Sequence, residues 1–301
     1  MKTNAMAMVL ASMVGDSLSL GAHWIYDTKL IDEQIGQVDQ LLAPLPGSHH
    51  DGKGKGSFTH YGDQAVLLLE SIARNKEFIL QGFSEDWQRL FSSYSGYVDE
   101  ATQQTLENFA GGTTPENSGS GSADLGGAAR IAPLVYLYRE DLEKLVAAAV
   151  LQTRMTHTAP SAVAAAEFLA KSTYMVLHGT APGEAIEETL EQGVSDMDLD
   201  MRLWNALDSK GENSRKAIEH LGQMCGAANA LPAAVHLITT YENDLETALI
   251  ENTMAGGDSA ARGLAVGMIL GAHLGMDAIP EQWLTDLSQY SHIMALLQQL
   301  S

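Results

Sequence analysis

The sequence predicts an all-α protein that forms a single domain. Apolar residues recur at spacings of three and four, as in Val66, Leu69 and Ile72, and side chains with this period share one face of a helix. Runs of alternating β-branched residues, which are typical of strands, do not occur in the sequence. No segment divides the chain into halves of different composition, so we assign residues 1–301 to one domain. Three segments are rich in alanine and favour closely packed helices: 146–152, 161–170 and 226–235.

Composition excludes several classes of protein. The chain has 301 residues, of which 45% are hydrophobic, and this is enough for a large core. Its net charge of -21 would repel a phosphate backbone, so nucleic acid is not an expected partner. The acidity could serve a basic substrate, but we favour the simpler role of keeping a cytoplasmic protein soluble. No stretch is long and apolar enough to suggest a membrane partner, and nothing in the composition predicts an oligomeric state.

Cys225 is the only cysteine in the sequence. A single cysteine excludes an intramolecular disulfide and fits the reducing environment of the cytoplasm. Because glycine and alanine follow it, we interpret Cys225 as a small core residue and not as a nucleophile.

The N-terminal segment predicts a buried helix that carries one acid. The apolar run at 5–14 continues directly into amphipathic sequence, so we prefer a first helix to a signal peptide. Asp16 lies among apolar residues, where a carboxylate is either functional or hydrogen-bonded to a neighbouring helix start. Beyond this helix, Trp24 and Tyr26 either wall a pocket and stack on a planar ligand or belong to the core.

Three segments interrupt the helical pattern. Residues 43–60 and 111–127 are dense in glycine and proline and are expected to be loops. Residues 193–213 form a milder, acidic break. Because long loops inside a helical domain are often functional, we expect the chemistry at or near them.

The first loop ends in a polar cluster at the start of a helix expected over residues 65–78. Asp63 either caps this helix or faces a cleft, with His60, Tyr61 and Gln64 around it. Both alternatives place the carboxylate at the end of the loop.

A second aspartate, Asp258, follows two glycines and opens a helix that runs to about Leu274. The free N–H groups of a helix start favour an anion, which is either the aspartate itself or a ligand phosphate. A cleft between two such helix starts is a natural site for an anion or a metal ion.

The glycine-rich loop at 118–127 suggests a further binding element. It lacks the lysine of a P-loop and follows no predicted strand. Its backbone could still approach a phosphate or a ribose, with Ser122 and Asp124 as contacts. Arg130, just beyond the loop, is expected to pair with a carboxylate. His157 lies in a turn between alanine-rich helices, where it either caps a helix or contributes to the site.

In order and spacing, these motifs resemble those of the ADP-ribosylglycohydrolase family, which includes dinitrogenase-reductase-activating glycohydrolases and the J1 crystallins. The resemblance covers nearly the whole chain. Residues 15–18 are similar to the family's motif in the first helix, 61–64 to its TDDT motif and 256–261 to its GGDTDT motif. Three further elements follow the family pattern: residues 129–133, Thr156-His157 and the ending at 279–283.

The resemblance implies a compact multi-helix fold and two magnesium ions that position a ribose for cleavage of a glycosidic bond. Only Asp63 and Asp258 remain as candidate metal ligands, since Gly62, Ala260 and Ala261 replace ligands of the family. Magnesium prefers several oxygen ligands, so two carboxylates are too few for two ions. Magnesium is therefore left open as a cofactor.

Arg262 suggests a replacement for the lost metal. It lies one turn into the second helix, where a guanidinium could neutralise both Asp63 and Asp258. This hypothesis requires a contact between Arg262 and one of the aspartates.

These residues favour a divergent hydrolase that acts on a ribosyl, nucleoside-like or other small polar substrate without the full dinuclear magnesium site. We expect Asp63 or Asp258 to orient water or to stabilise an oxocarbenium-like transition state, and His60 or His23 to donate a proton. The expected partner is a small molecule or an ADP-ribosyl-type ligand. The expected substrate-binding residues are Asp16, Trp24, Tyr26, Tyr61, Gln64, Ser122, Asp124, His157 and Arg262.

Two alternatives stay open. The first is a non-catalytic ligand-binding or structural protein on the same fold, as the crystallin relatives allow. The second is a magnesium-dependent ADP-ribosylglycohydrolase that recruits metal ligands from His49, His50 and Asp51 in the first loop.

Overall fold

The computed structural model describes residues 2–300, and all regular secondary structure in this range is helical. No helix among these residues is long and apolar enough to cross a bilayer. Two short 3-10 helices, Pro115–Asn117 and Met276–Ala278, interrupt the series. The α-helices of the described range are α1 Lys2–Ser19, α2 Thr28–Gln34, α3 His60–Asn75, α4 Leu80–Phe91, α5 Glu100–Ala110, α6 Gly126–Ala129, α7 Ala132–Leu137, α8 Leu142–Arg154, α9 Pro160–Leu177, α10 Pro182–Glu191, α11 Met197–Asp208, α12 Ser214–Leu221, α13 Ala227–Thr240, α14 Leu245–Met254, α15 Ser259–Leu274, α16 Glu281–Asp286 and α17 Tyr290–Gln299.

Two helices, α1 and α15, form the centre of the fold and run antiparallel in direct backbone contact. Gly15 faces Gly263, and Ala11 faces Gly267, so small residues line the contact at every fourth position. A Cβ atom built on Gly267 would lie 2.1 Å from the carbonyl oxygen of Ala11. The helices therefore approach this closely only because position 267 has no side chain.

Other helices surround this central pair. Helices α3, α7 and α14 pack on α1, while α9, α13 and α14 pack on α15, and the buried apolar side chains form one continuous core. Because α1 and α15 are antiparallel, the end of α1 and the start of α15 lie at the same end of the fold. Asp16 and Asp258 are thereby brought to this end, where α3 also begins.

Two isolated backbone bridges hold the glycine-rich loop. Ser120 pairs with His157 in a parallel bridge, and Asp124 pairs with Gly226 in an antiparallel bridge. The loop is therefore fixed between the turn that joins α8 to α9 and the segment that joins α12 to α13.

The predicted helices are confirmed, with a difference at the start of α3. This helix begins at His60, five residues before the expected start near residue 65. Thr59 explains the difference, because its side chain accepts a hydrogen bond from the Tyr61 N–H and caps the helix. The first helix is buried as expected, and residues 43–59 are not helical.

The expectation that residues 193–213 break the helical pattern is wrong, because this segment contains α11. Leu199, Leu203 and Ala206 recur at helical spacing and are buried, with α11 packed on α13. The Asp196 side chain caps the helix by accepting a hydrogen bond from the Leu199 N–H at 2.9 Å. The many acids of this segment lie at the cap and on the exposed face of α11. They make the segment acidic overall, so its composition does not reveal the buried apolar face.

We expect Gly267→Ala to destabilise the protein, since the added methyl group would force α1 and α15 apart. Overpacking of this kind costs about 1–3 kcal/mol, which urea unfolding measures. Gly82→Ala in α4 is the matched control, because the nearest atom to its added Cβ is Asn75 Nδ2 at 3.8 Å. There, the better helix propensity of alanine should stabilise by about 0.5–1 kcal/mol. Equal effects at the two positions would contradict the close backbone contact.

Candidate functional site

Asp16 is a fully buried carboxylate that joins α1 to the start of α3. Its Oδ2 accepts a hydrogen bond from the Thr59 N–H at 2.8 Å, and its Oδ1 accepts one from the Thr59 hydroxyl at 2.5 Å. Burial raises the pKa of Asp16 to about 7 despite these two bonds. Of the two alternatives for Asp16, the structure shows the hydrogen-bonded one, to a neighbouring helix start.

Asp63 lies in the first turn of α3 and does not cap it, because Thr59 already fills that position. Its Oδ2 accepts hydrogen bonds from the Tyr94 hydroxyl at 2.5 Å and from the Lys53 ammonium, with which it forms an ion pair. The capping alternative for Asp63 is therefore wrong. The carboxylate instead pairs with a cation from the first loop.

Asp258 is the N-cap of α15 and is fully buried. Its Oδ1 accepts a hydrogen bond from the Ala261 N–H at 3.2 Å, and its Oδ2 accepts one from the Tyr61 hydroxyl at 3.3 Å. Nδ1 of His23 lies 3.7 Å from Oδ1. Burial raises the pKa of Asp258 to about 6, so this carboxyl exchanges its proton close to neutral pH. Through Tyr61, the starts of α3 and α15 meet as the sequence predicts.

A group of rings lies beside these helix starts, and we call it the aromatic cluster. Trp24 stacks on His23 with the ring centroids 4.4 Å apart, and it meets His49 and Tyr97 edge-on at 5.0 Å. The φ angle of Trp24 is 64°, which is strained for a bulky residue. Backbone hydrogen bonds of 2.9 Å in both directions clamp this segment to Gly257, so the indole is fixed next to Asp258. The cluster consists of His23, Trp24, His49, His50, His60, Tyr61 and Tyr97.

His60 is the centre of a hydrogen-bonded chain in this cluster. Its Nε2 lies 3.2 Å from Oδ2 of Asp99, and its Nδ1 lies 3.4 Å from Nε2 of His50. Burial would raise the pKa of Asp99, but hydrogen bonds from His60 and Thr102 hold this pKa well below its usual value. His60 is fully buried and engaged on both ring nitrogens, so donation of a proton to substrate would require one of these contacts to break.

His23 is also unsuited to donate a proton. Burial lowers its pKa well below the usual value, and the nearby His50 and His60 lower it further. Its Nδ1 accepts a hydrogen bond from the Ala260 N–H at 3.4 Å, which places the hydrogen of the neutral ring on Nε2. His23 is therefore a neutral wall of the Asp258 site, and the expectation that it protonates a leaving group is corrected.

A cleft of about 390 Å³ opens beside the glycine-rich loop. Ser122 and Asp124, both predicted as ligand contacts, line it, and burial raises the pKa of Asp124. Cys225 is half-buried and lines the same cleft, so its interpretation as a core residue is wrong. Burial and the charge of Asp124 raise the pKa of its thiol, which keeps Cys225 from acting as a thiolate nucleophile. The other lining residues are Glu100, Ala101, Gln104, Ser120 and Gly121.

Tyr26 lies outside the aromatic cluster and is 41% exposed. It lines a second cavity of about 460 Å³ together with Lys29, Arg215 and Lys216. The core alternative for Tyr26 is therefore wrong, and its ring is accessible to a ligand.

Gln64 and His157 lie in the interior and not at the cleft. Arg130 donates hydrogen bonds to Oε1 of Gln64 at 2.5 Å, to Oε1 of Gln152 at 2.6 Å and to Oγ1 of Thr156 at 2.5 Å. Neutral oxygens thus replace the carboxylate partner expected for Arg130. His157 is 2% exposed, and burial lowers its pKa to about 3. The expected substrate contacts of Gln64 and His157 are therefore replaced by buried structural roles.

Arg262 is buried and reaches neither aspartate. It donates hydrogen bonds to the Asn252 side chain and carbonyl at 3.1 Å and to the Gly256 carbonyl at 2.6 Å. These carbonyls lie at and just beyond the end of α14, where the helix dipole attracts a cation. The contact with Asp63 or Asp258 that the hypothesis requires is therefore absent, although the Arg262 charge still lowers the pKa of Asp258 from a distance.

Comparisons with known proteins now identify the fold. The family model for ADP-ribosylglycohydrolase matches residues 1–301. The chain belongs to the ADP-ribosylglycohydrolase family. Crystallin J1A of Tripedalia cystophora is 25% identical, and the match covers 100% of this chain and 97% of the crystallin. ADP-ribosylhydrolase ARH3 of Homo sapiens is 26% identical, with 87% of this chain and 83% of that protein covered. A solved structure described as an ADP-ribosylglycohydrolase-related protein complex is 25% identical, with a TM-score of 0.79 and coverage of 99% of this chain and 97% of that chain.

The residues at this ADP-ribosylglycohydrolase site do not fit the magnesium pair implied by the motifs. Magnesium requires about six oxygen ligands in octahedral geometry. Among residues 2–300, no group of three or more His, Cys, Asp or Glu side chains could hold a metal ion. Asp258 uses both oxygens on Tyr61 and on a helix N–H, while Lys53 neutralises Asp63. The two candidate metal ligands, Asp63 and Asp258, are thus each bound to different protein groups.

The first loop does not complete a metal site either. Asp51 accepts a hydrogen bond from the Gly47 N–H at 2.8 Å and stays exposed, while His49 and His50 belong to the aromatic cluster. The loop residue that does reach Asp63 is Lys53. The loop therefore supplies a cation where the alternative requires metal ligands.

Four residues of the site escaped sequence analysis: Lys53, Tyr94, Tyr97 and Asp99. Lys53 stands among glycines, and no local pattern shows that the loop folds back onto Asp63. The sequence could have indicated Asp99 as a helix cap, since it is the N-cap of α5 and directly precedes helical sequence. Its pairing with His60 spans 39 positions and could not be read from spacing.

We expect the stability difference between the wild type and Asp16→Asn to change with pH. The folded pKa of Asp16, about 7, lies above the usual value of 3.8. The stabilisation from its bound proton is therefore complete below the lower value and is lost as pH rises through the higher one. In urea unfolding from about pH 4 to about pH 8, the free energy of unfolding of Asp16→Asn should rise by up to about 4 kcal/mol relative to that of the wild type.

Asp27→Asn is the control for this measurement. Asp27 is the N-cap of α2 and is exposed, so it provides the same chemical exchange outside a buried site. A constant difference for Asp16→Asn would show that burial does not raise its pKa.

Proposed function

We propose that this chain is a glycosidase-type hydrolase whose active carboxylate is Asp258. The observation that carries the proposal is the Asp258 site itself, a buried carboxylate with a pKa of about 6 that the Tyr61 hydroxyl holds in place. A carboxylate that titrates near neutral pH is suited to exchange protons with a reacting group. Asp63 is less suited, because the Lys53 ammonium neutralises it.

The substrate we propose is an ADP-ribosyl, nucleoside-like or other small polar compound. The family and the similarity to ARH3, which is named an ADP-ribosylhydrolase, support this class. The cleft of about 390 Å³ has the size of a small-molecule site. Ser122 and Asp124 there offer a hydroxyl and a carboxylate to sugar hydroxyls, and the half-buried Trp24 offers a face for a planar base.

In the proposed reaction, Asp258 takes a proton from water as the water oxygen bonds to the anomeric carbon. The bond from that carbon to the leaving nitrogen or oxygen breaks, the leaving atom keeps the electron pair, and Asp258 returns the proton to it. Burial raises the pKa of Tyr61 well above its usual value, so its hydroxyl stays protonated and keeps the carboxylate oriented. Each proton in this sequence is accounted for by water, Asp258 and the leaving group.

We expect Asp258→Asn to abolish turnover while the variant still binds ligand. Loss of a general base lowers turnover by about 100- to 10,000-fold, measured on chelator-treated protein with N- and O-linked ADP-ribosyl compounds. Asparagine caps helices as well as aspartate does, so the fold is kept, and calorimetry should show ligand affinity within a few-fold of the wild type.

The matched control is Asp244→Asn, which makes the same exchange at the exposed N-cap of α14. It should leave turnover unchanged. Full activity in Asp258→Asn would remove this carboxylate from the mechanism.

The pH dependence of kcat/KM offers a separate test. Asp258 acts as a base only when it has lost its proton, and its pKa is about 6. We therefore expect kcat/KM to fall about tenfold per pH unit below that value, and Asp63→Asn should keep this acid limb. An activity that stays constant down to about pH 4 would exclude Asp258 as the base.

A non-catalytic binding or structural role is the second candidate. Two observations favour it: Asp258 is fully buried, and the similarity to crystallin J1A extends over the whole chain. ADP-ribose binding without turnover of any N-linked, O-linked or nucleoside substrate would establish this role in place of hydrolysis. Turnover that appears only when magnesium is added would instead support the metal-dependent alternative.

A further inference from the structure

The ion pair between Lys53 and Asp63 differs from the other ion pairs of lysine and arginine. The two side chains are only 16% and 18% exposed. In every other lysine or arginine pair among residues 2–300, at least one partner is 34% exposed or more. Exposed pairs contribute little, whereas an enclosed pair leaves an uncompensated charge when one partner is removed.

Tyr94 completes the surroundings of this ammonium. Its hydroxyl donates to the same carboxylate oxygen of Asp63 that Lys53 contacts, and the Lys53 Nζ lies 5.6 Å from the centroid of its ring. The ammonium is therefore held between a carboxylate and an aromatic face, both of which favour a cation.

The loop that carries Lys53 is held by a turn bond before this residue and by a contact with the C-terminal part of the chain after it. The Lys53 N–H donates to the His50 carbonyl at 3.1 Å, and the Gly56 carbonyl accepts from the Ser288 N–H at 2.9 Å. Gly56 fits so closely that a Cβ atom there would lie 1.9 Å from the Asp286 carbonyl oxygen. Lys53 thus reaches Asp63 from an ordered loop that packs on the C-terminal part of the chain.

We propose that the Lys53 ammonium is a built-in counter-cation that replaces a bound metal ion at Asp63, where it contacts Oδ2 together with the Tyr94 hydroxyl. Asp63 lies close enough to Asp16 for their charges to repel, and Lys53 is close enough to offset both. A divalent ion at Oδ2 of Asp63 would have to displace the ammonium, because the Lys53 Nζ and the Tyr94 hydroxyl already occupy that oxygen. Lys53 is a positioning residue in this scheme, and the inference holds whether or not Asp258 is catalytic.

Chemical rescue of Lys53→Ala tests this proposal without any substrate. The exchange removes a propylammonium group, so n-propylammonium chloride supplies the missing atoms. We expect Lys53→Ala to unfold about 2–4 °C or more below the wild type. Propylammonium should restore at least half of that loss, relative to sodium chloride at the same ionic strength.

Two further variants keep the result interpretable. Lys55→Ala removes the neighbouring lysine of the same loop, whose side chain is 47% exposed and pairs with Asp286, and it should show no rescue. Lys53→Met keeps an apolar stem without the charge, so it should be destabilised like Lys53→Ala but not rescued, since its side chain fills the space. If Lys53→Ala does not fold, destabilisation of Lys53→Met together with the titration below decides the question.

A magnesium titration of chelator-treated protein gives a second readout. We expect no saturable heat from the wild type with magnesium alone, and we expect magnesium to raise the unfolding temperature of Lys53→Ala more than that of the wild type. Micromolar magnesium binding by the wild type would overturn the proposal. A Lys53→Ala variant as stable as the wild type would also overturn it. So would a variant whose unfolding temperature changes with neither propylammonium nor magnesium.

Discussion

The backbone contact between α1 and α15 is the constraint on which the rest of the structure depends. Glycines at the contact let the two helices approach until carbonyl groups of one touch the other. The antiparallel direction then places the end of α1 and the start of α15 together, and the Ser19 hydroxyl joins them by donating to the Ser259 carbonyl at 3.0 Å. Asp16 and Asp258 therefore owe their shared location to residues that carry no side-chain chemistry.

Once these acids are buried together, each needs its own compensation, and the partner determines what the acid can do. Asp16 receives two hydrogen bonds from Thr59, and its pKa still stays high. Asp63 forms an ion pair with a lysine. Asp258 has only hydrogen-bond donors as partners. The basic side chain within ion-pair distance is His23, which is neutral. The pKa of Asp258, about 6, lets this acid take up and release a proton near neutral pH, and its partners are hydrogen-bond donors from the starts of α3 and α15.

The helices and the meeting of the two helix starts are predictable from the sequence, because both follow from local patterns. Hydrophobic periodicity gave the extent of α15, and two glycines before Asp258 marked its start. The same patterns could not reveal which surface a long side chain meets. The partners of Arg262 are carbonyls at the end of α14, and those of Arg130 are amide and hydroxyl oxygens. Lys53 was missed because the fold of its loop depends on contacts with residues near 286–288.

Tyr61 and Gly62, which depart from the family's first motif, interlock in space with Asp258 and Asp16. A Cβ atom at Gly62 would lie 2.5 Å from Oδ2 of Asp16, so a side chain there would displace Asp16 from its helix-capping partner. Tyr61 is large enough to reach Asp258, and it leaves so little room that a Cβ at Gly126 would lie 2.2 Å from its ring.

An aspartate restored at position 62 alone would therefore not recreate a metal site. Its Cβ would collide with Asp16, Lys53 would still hold Asp63, and Tyr61 would still occupy Asp258. Because each of these contacts opposes a return to the family motif, several substitutions would have to occur together to restore the family's two-metal site. Burial of Asp258 raises its pKa to about 6, and this leaves its proton exchangeable near neutral pH.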